Sequence, residues 1–443
     1  MGARGWLVCV ALRLAAVDGA PASGVDDVCD SGSRSGASSV CTVTKLHALD
    51  ASSAPLQPIT FDGSLVIQGS GSIAGSECSD PLKCTVVLKG TGPSSQLTMT
   101  GAGSVLGSYL YIEAGNISLH DSAWINATAQ PDYEHNQTST LQLHATMPKG
   151  PVTVGLYNRS RITGARLNIS AARGTSLWVG SDAPPPNQAP AHAVIDASGK
   201  IFSDARGIDP APNGAGGGYA GFGGNCDGRG ENARGGEPYG PIFGDSACLD
   251  GSPGGMGMSG TIGGFAGGQI VIRAESIILD GTITVDGAPG KMIGDTLGSG
   301  GGSGGCVSLQ LSASDDQVPP IRSSPAAQAG QWCVGSACMV SANGGSGYSG
   351  GSGGRIMLNA TSASLLIQPV TTNHMDAVGG PNLCPAGDEK SEAQVGAAGT
   401  KFINLRGENA ILAIDGAEQG PGELTPVGGE KYSIGVEPHR LTS

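Results

Sequence analysis

Asp280 and Asp286 come closest, by residue type and spacing, to a catalytic pair. They lie on neighbouring turns of the segment 269–287. Glycoside hydrolysis requires two carboxyl groups that face one groove. Each of these aspartates precedes a glycine, however, and an aspartate at such a turn satisfies local backbone donors. The sequence therefore favours a structural role for both, with a polysaccharide lyase or hydrolase as the alternative.

Three further aspartates, Asp227, Asp245 and Asp250, lie in a glycine- and cysteine-rich stretch. Carboxylate oxygens are the ligands that Ca²⁺ prefers. The chain contains no Gly-Gly-x-Gly-x-Asp repeat, no Cys-x-x-Cys and no histidine at zinc-ligand spacing. We expect no cofactor, with Ca²⁺ as the one candidate.

Ser303, Ser349 and Ser352 match the Gly-x-Ser-x-Gly pattern of a serine nucleophile. That nucleophile requires a strand-turn-helix setting and triad partners. No helix is predicted after these serines, and a glycine- and serine-rich stretch produces such matches by accident. We assign no catalytic residue from them.

Five aromatic residues lie in glycine-rich surroundings, and their rings can stack on sugars at roughly 0.5–1.5 kcal/mol each by analogy with aromatic pairs. The alternative, which we favour, is that they fill loops without other large side chains. These residues are Tyr219, Phe222, Tyr239, Phe243 and Trp332.

Cysteine usage indicates an oxidising compartment. Of eleven cysteines, Cys9 lies in an apolar N-terminal stretch, and the other ten are candidates for disulfides. Most occur as near neighbours, although the connectivity stays open. The near neighbours are Cys29 and Cys41, Cys78 and Cys84, Cys226 and Cys248, and Cys333 and Cys338, which leaves Cys306 and Cys384.

Six Asn-x-Ser/Thr sequons also favour export. Five of them are concentrated between Asn116 and Asn168, with recurring ten-residue steps, which suggests one glycan-bearing face. The six asparagines are Asn116, Asn126, Asn136, Asn158, Asn168 and Asn359.

The elements that must position these residues are short strands. Apolar segments of period two alternate with Gly, Ser and Asn, and no long helical periodicity is present. Between residues 205 and 305 glycine becomes dense, which we attribute to positive φ and close backbone approach at tight turns. The segments that begin at Gly267, Gly304 and Gly353 each read Gly-Gly, one residue, then an alternating strand. The pattern predicts an all-β fold, a mainly parallel β-helix or β-solenoid.

Composition agrees with this fold and limits the partners. The 443 residues are 39 % hydrophobic but only 4 % aromatic and 14 % charged, as expected of a narrow solenoid core. The net charge of −13 argues against nucleic-acid binding. No apolar run is long enough to span a membrane.

We divide the chain into six segments. They are a signal peptide (1–22), an N-terminal disulfide-bonded cap (23–58), a solenoid part with sequons (59–204), a glycine-rich Cys-containing excursion (205–266), a solenoid part with Gly-Gly strand repeats (267–415) and a polar tail (416–443).

The order of several motifs resembles that of large secreted glycine-rich proteins of plants and algae, a family without an assigned function. The likeness covers residues 26–380 and rests on Cys29 with Cys41, the segment 65–73, the segment 111–128, the glycine and cysteine block, and the segment 251–255. The resemblance implies a secreted β-rich protein and supplies no catalytic residues. Members of that family are longer and continue into membrane spans, so an N-terminal ectodomain of a membrane protein is one alternative.

From these observations we expect a secreted, non-enzymatic glycoprotein of the extracellular matrix, cell wall or cell surface. Its partners would be glycans or matrix proteins, held by many weak contacts.

Overall fold

The computed structural model describes most of the chain from residue 28 to residue 414. The described residues are 28–33, 35–49, 58–75, 84–92, 94–127, 139–146, 152–173, 175–180, 192–201, 214–224, 226, 235–241, 248–257, 260–293, 297–312, 337–360, 374–383, 395–405 and 411–414. Several predicted features lie outside these residues: the signal peptide, the polar tail, Cys9, Cys78, Cys333, Cys384, Asn136, Asp227, Asp245, Phe243 and Trp332.

The described chain is built from short strands. Those before the glycine-dense block are β1 (Ser31–Gly32), β2 (Val40–Val43), β3 (Leu46–Leu49), β4 (Ile59–Phe61), β5 (Ser64–Ile67), β6 (Ser72–Gly75), β7 (Thr85–Gly90), β8 (Gln96–Met99), β9 (Ser104–Gly107), β10 (Tyr109–Ala114), β11 (Asn116–Leu119), β12 (Trp124–Ala127), β13 (Thr140–Ala145), β14 (Val152–Tyr157), β15 (Arg161–Thr163), β16 (Arg166–Ser170), β17 (Ser176–Gly180) and β18 (Val194–Asp196). Those within and after it are β19 (Gln269–Ala274), β20 (Ser276–Leu279), β21 (Thr282–Thr284), β22 (Met292–Ile293), β23 (Leu297–Gly298), β24 (Cys306–Leu311), β25 (Met339–Ser341), β26 (Arg355–Ala360), β27 (Met375–Asp376), β28 (Thr400–Leu405) and β29 (Ile411–Ile414).

The chain winds through three long sheets in turn. Each strand from β2 to β18 pairs in parallel with the third strand after it, so one coil contributes one strand to each sheet. Sheet A has the order β1-β2-β5-β8-β11-β14-β17-β20, sheet B β3-β6-β9-β12-β15-β18-β21-β25-β27, and sheet C β4-β7-β10-β13-β16-β19-β24-β26-β28-β29. The end strands β1 and β29 pair antiparallel. The all-β, mainly parallel architecture predicted from the sequence is therefore present.

Period-two alternation forms the strands because one face of each sheet must be buried. Along β5, β8 and β11 every second residue points inward, and the inward residues of successive coils stack in register. Leu65, Leu97, Ile117 and Val154 form one such row and are 0 % exposed. Each such side chain stabilises the fold by roughly 1.5–3 kcal/mol relative to an exposed position. No helix in the described part of the chain is long and apolar enough to cross a membrane.

The corner between sheets B and C divides the molecule into two parts. In two early coils this corner is tight: β9 ends at Gly107 and β10 begins at Tyr109, and β15 ends at Thr163 and β16 begins at Arg166. In later coils the chain leaves the corner after β18, β21, β25 and β27, and returns to β19, β24, β26 and β28. The last three of these excursions each have an outgoing segment (285–291, 342–347, 377–383) and a returning segment (298–305, 348–354, 395–399).

The outgoing and returning segments stack into a bundle, together with residues 214–224, 235–236, 250–257 and 262–268. We call this assembly the glycine bundle. Within one excursion the segments run antiparallel, as the bonds from Gly351 to Gly345 and from Gly354 to Ala342 show. Equivalent segments of successive coils run parallel, as from Gly301 to Ser349 and from Gly304 to Ser352.

Segment 298–305 lies at the centre of the bundle, and its hydrogen bonds repeat every three residues. Successive N–H groups donate in rotation to carbonyl groups of three neighbouring segments. The N–H groups of Ser299, Gly302 and Gly305 donate to Lys291, Ala288 and Val285 of the first segment. Those of Gly300 and Ser303 donate to Gly255 and Ser252 of the second, and those of Gly301 and Gly304 to Ser349 and Ser352 of the third. Its carbonyl groups accept hydrogen bonds from three further segments. The donors are Gly264 and Gly267 in one segment, Gly217 in the second and Gly345 in the third. Three residues per turn without internal hydrogen bonds is the geometry of polyproline II helices.

This packing corrects the turn-based explanation of the glycines. Among the described glycines only Gly32, Gly36, Gly69, Gly101, Gly199, Gly214, Gly240 and Gly260 have positive φ, and few of these lie in the bundle. An added Cβ at Gly300, Gly301 or Gly302 would instead come closer than 3.0 Å to backbone atoms of another segment. Glycine is required here because six backbones surround one, as at the crowded axis of collagen.

Residues 219–224, 235–241 and 248–250 cover the outer face of sheet C at β19, β24, β26 and β28, and we call them the lid. Under the lid the outward residues are apolar: Val271, Met357 and Phe402 pack with Tyr219 and Tyr239. The lid therefore creates a second, smaller core outside the solenoid.

Candidate functional site

The outer face of sheet B offers a flat polar surface that continues onto the glycine bundle. We call it the ladder face and define it by Asp196, Ser198, Thr284, Asp286, Ser341, Asn343 and Asp376. Two rows make it up, one at the ends of the sheet B strands and one two residues further along the chain. In the first row Asp196, Thr284, Ser341 and Asp376 are register partners on successive coils.

Hydrogen bonds connect the two rows from coil to coil. Asp196 Oδ1 accepts from Thr284 Oγ1 at 2.9 Å. Asp286 Oδ2 accepts from Ser341 Oγ at 2.9 Å, and its Oδ1 accepts from the Asn343 N–H at 2.6 Å. These bonds fix the positions of the carboxylates before any ligand arrives.

Further along the same face, Asn343 Nδ2 donates to Asp376 Oδ2 at 3.2 Å. Among the described residues, nothing donates to Asp196 Oδ2 or to Asp376 Oδ1. The two end carboxylates therefore each have an oxygen that can accept a hydrogen bond from a hydroxyl group of a ligand.

Asp286 is electrostatically unusual. Burial raises its pKa above the ordinary value, the hydrogen bonds from Asn343 and Ser341 oppose this, and the negative charges of Asp376 and Asp196 raise the pKa further. Three carboxyl groups are thus close enough to interact. No group of three or more metal-ligating side chains is present among the described residues.

The structure separates the two aspartates that the sequence paired. Asp280 precedes β21 and Asp286 follows it. The backbone N–H of Asp280 donates to Val179, and its carbonyl faces His192 Nδ1 at 2.9 Å. Asp286 is instead grouped with Asp196 and Asp376, which sequence reasoning missed. All three lie at or just beyond the end of a sheet B strand, but the sequence does not show which strands are neighbours in that sheet.

Trp124 lies on the same outer face, near its N-terminal end. Trp124 is 39 % exposed. Its Nε1–H donates to Thr163 Oγ1 at 3.1 Å, which in turn donates to Asn126 Oδ1 at 2.7 Å. This chain of bonds holds the indole in place beside the first row of the ladder face.

Asp250, a calcium candidate, has a structural role. It is 3 % exposed and accepts from Arg166 Nε at 2.9 Å and Nη2 at 2.5 Å. Burial raises its pKa, and the ion pair with Arg166 opposes that shift. The pair ties the lid to β16.

The serines of the Gly-x-Ser-x-Gly matches are buried in the glycine bundle. The hydroxyls of Ser303, Ser349 and Ser352 accept backbone N–H groups of Ser252, Cys226 and Tyr219. They satisfy backbone donors where segments meet, and none of the described hydrogen bonds of these hydroxyls is to a histidine.

The aromatic residues on the described part of the excursion fill the lid, as favoured from the sequence. Tyr219 is 0 % and Tyr239 8 % exposed, and their rings are 5.2 Å apart. The Arg355 guanidinium lies 4.5 Å from the centre of the Tyr219 ring and donates to the Tyr239 carbonyl. Phe222 is half-buried. Neither tyrosine is available to stack on a sugar.

One disulfide lies at the N-terminal end of the described chain, and another attaches the lid to sheet C. Cys29 bonds to Cys41 next to the antiparallel strand β1. The suggested neighbour pair Cys226 and Cys248 is wrong, because Cys248 bonds to Cys306 across 58 residues. The lid folds over sheet C, which brings these two distant cysteines together. Cys84, Cys226 and Cys338 are also disulfide-bonded.

The sequons do not share one face. Asn116 lies on β11 of sheet A, Asn126 on β12 of sheet B, and both Asn168 and Asn359 on strands of sheet C. Asn158 occupies a turn with a φ of 58°. A ten-residue step moves the chain from one sheet to the next, so the predicted single glycan-bearing face is incorrect. From β15 to β27 the ladder face carries no sequon.

Comparison with known proteins adds no family to this description: no protein-family model, no curated protein and no solved structure matches the chain.

Proposed function

We propose that the protein is a secreted glycoprotein of the extracellular matrix, cell wall or cell surface, and that its ladder face binds an extended polysaccharide without cleaving it. The observation that carries the proposal is the row of Asp196, Thr284, Ser341 and Asp376 in register. Ser341 is 3 % exposed and donates to Asp286, so a polymer lying along the solenoid meets Asp196, Thr284 and Asp376 of this row, on strands whose neighbours lie about 4.8 Å apart.

Three features support this function. The disulfides fit an oxidising compartment. Carboxylate and hydroxyl groups on a rigid scaffold recognise hydroxyl-bearing ligands with little ordering cost. Among the described sequons only Asn126 lies on a strand of sheet B, on β12, two strands before β18, and none lies on the strands β18 to β27 that carry the ladder face.

The test measures binding of the purified protein to a panel of wall polysaccharides, as the loss of protein from solution. Hydrogen bonds to charged groups contribute roughly 1.5–3 kcal/mol each, so Asp196→Asn with Asp376→Asn should weaken binding at least about tenfold. Asp121→Asn, which removes an exposed carboxylate from the turn between β11 and β12, is the matched control and should bind like the wild type. Equal binding by the double variant and the control, or no binding to any polymer, would contradict the proposal.

A second candidate is polysaccharide hydrolysis, and the raised pKa of Asp286 beside Asp196 and Asp376 favours it. A carboxyl group with a raised pKa next to an ionised one is the arrangement of a general acid and its partner. Binding is the better-supported function because both oxygens of Asp286 accept hydrogen bonds from the next coil. New reducing or unsaturated ends in the same assay, lost in Asp286→Asn, would establish the enzyme instead.

A further inference from the structure

A second line of polar residues crosses sheet C outside the lid. Glu113, His144, Ser170 and Arg273 are register partners on β10, β13, β16 and β19 and point outward. Strands about 4.8 Å apart place these four side chains side by side. The ladder face is on sheet B, so this line is a separate surface.

His144 and Ser170 are in direct contact. Nδ1 of His144 lies 2.6 Å from Ser170 Oγ. Burial lowers the pKa of His144, the negative charge of Glu113 opposes this, and Arg273 adds to the lowering. A neutral imidazole can accept the serine proton.

The flanking residues are held in place by their own partners. Glu113 Oε2 accepts from the Tyr111 hydroxyl at 2.7 Å, and the Tyr111 ring lies 5.8 Å from His144. Arg273 Nη1 donates to Asn168 Oδ1 at 2.8 Å. The guanidinium carries further N–H groups, which can face charge that develops beside Ser170.

We propose that Ser170 and His144 form a nucleophile and base that hydrolyse esters, with O-acylated polysaccharides as the substrate class. Acyl transfer is the chemistry of a serine that contacts a neutral imidazole. An open, flat sheet admits a long acylated polymer, whereas a closed pocket would not. This activity does not depend on binding at the ladder face.

In the first step Ser170 Oγ attacks the ester carbonyl carbon while its proton passes to His144 Nδ1. The bond from that carbon to the alcohol oxygen breaks, and the proton leaves with the alcohol. Arg273 stabilises the oxyanion. Water then attacks the acyl group, His144 takes its proton, the Oγ–C bond breaks, and the proton returns to Ser170 as the carboxylic acid departs.

Ser170 is also the hydroxyl residue of the Asn168 sequon. The experiment therefore uses the full chain after enzymatic deglycosylation, which leaves an oxygen at position 168 for Arg273. A fluorophosphonate probe is followed by peptide mass spectrometry, and the release of p-nitrophenol from p-nitrophenyl acetate is measured in parallel.

We expect covalent labelling at Ser170 and a p-nitrophenol burst of about one equivalent, since an acyl-enzyme accumulates. His144→Gln should slow labelling at least about 100-fold, and Ser170→Ala should abolish the burst. Ser118→Ala is the control, because Ser118 is an outward sequon serine on β11 that contacts Thr98. No labelling at Ser170 in the folded protein, or labelling of His144→Gln at the wild-type rate, would overturn the proposal.

Discussion

At the scale of single residues, the carboxylates of the ladder face join one coil to the next. Asp286 accepts a backbone N–H from Asn343 and a hydroxyl from Ser341, both on the following coil. The cost is a buried negative charge beside Asp196 and Asp376, which raises the pKa of Asp286. Its hydrogen bonds therefore stabilise the fold while its charge opposes folding at neutral pH.

This balance predicts opposite results for two substitutions. Because the folded-state pKa of Asp286 lies above its unfolded value of 3.8, stability falls as the pH rises from about that value through the folded pKa. Asp286→Asn should remove that dependence and be at least as stable as the wild type at pH 7. Asp286→Ala leaves Asn343 and Ser341 without their acceptor and should cost about 1–3 kcal/mol.

Urea unfolding from pH 3 to pH 8 measures both variants. A loss of stability in Asp286→Asn at pH 7 equal to that in Asp286→Ala would show that the negative charge is favourable, contrary to this argument.

The sequence could single out Asp286 but not its partners. Asp286 lies 90 residues after Asp196 and 90 residues before Asp376. Only the winding of the solenoid brings the three to one edge of sheet B. Ser170 and His144 pose the same difficulty, because the contact depends on which strands are neighbours in sheet C. Residue types were visible in advance, whereas the register that joins them was not.

At the scale of elements, the molecule combines two backbone geometries. The strands bury aliphatic rows in a dry core, whereas the glycine bundle buries backbone and satisfies it by hydrogen bonds between segments. A bundle of this kind has almost no side-chain volume with which to absorb a change. Its stability should therefore depend on glycine at each central position.

Gly302→Ala tests this dependence. The added Cβ would lie within 3.0 Å of backbone atoms of Phe265 and Ala266, and overpacking costs typically 1–3 kcal/mol, occasionally more. We expect a loss of about 3 kcal/mol or more. Gly92→Ala is the control, because its Cβ would meet nothing closer than 3.4 Å, and it should change stability by less than about 0.5 kcal/mol.

Thermal and urea unfolding of both variants give the answer. Equal stability of Gly302→Ala and Gly92→Ala would mean that the segments can separate by several tenths of an ångström without cost, and the close-packed bundle would be disproved.

Pattern alone predicted the strands but misassigned the cause of the glycine density. Alternation in 269–274 identifies β19 because the signal is local. The requirement for glycine at 300–302 arises from six neighbouring segments that are distant in sequence. The sequence shows where the glycines are but not which segments pack around them, so it predicted turns rather than close packing.

At the scale of the whole molecule, the N-terminal coils and the C-terminal coils are stabilised differently. The N-terminal coils include two tight corners between sheets B and C, at β9–β10 and β15–β16, and most sequons are distributed around their three sheets. The C-terminal coils carry the glycine bundle and the lid, which is attached through Cys248–Cys306, the Arg166–Asp250 pair and Arg355. Together with the hydrogen bonds from Tyr219 to Ser352 and from Gly224 to Gly350, these attachments hold the lid to the coils from β16 onward, so the lid should open without unfolding the coils of β5, β8 and β11.

Replacing both Cys248 and Cys306 by alanine tests this separation. Loop-closure entropy assigns about 4 kcal/mol to a disulfide that spans 58 residues, and we expect that loss to appear as opening of the lid. Amide hydrogen exchange should rise at Tyr219, Tyr239 and Leu249 and stay at the wild-type level in β5, β8 and β11. Removing Cys29–Cys41, which spans 12 residues, should instead raise exchange at β1 and β2. If the first variant raises exchange in β5 as much as in the lid, the molecule unfolds as one cooperative unit, because the lid would then contribute stability to every coil.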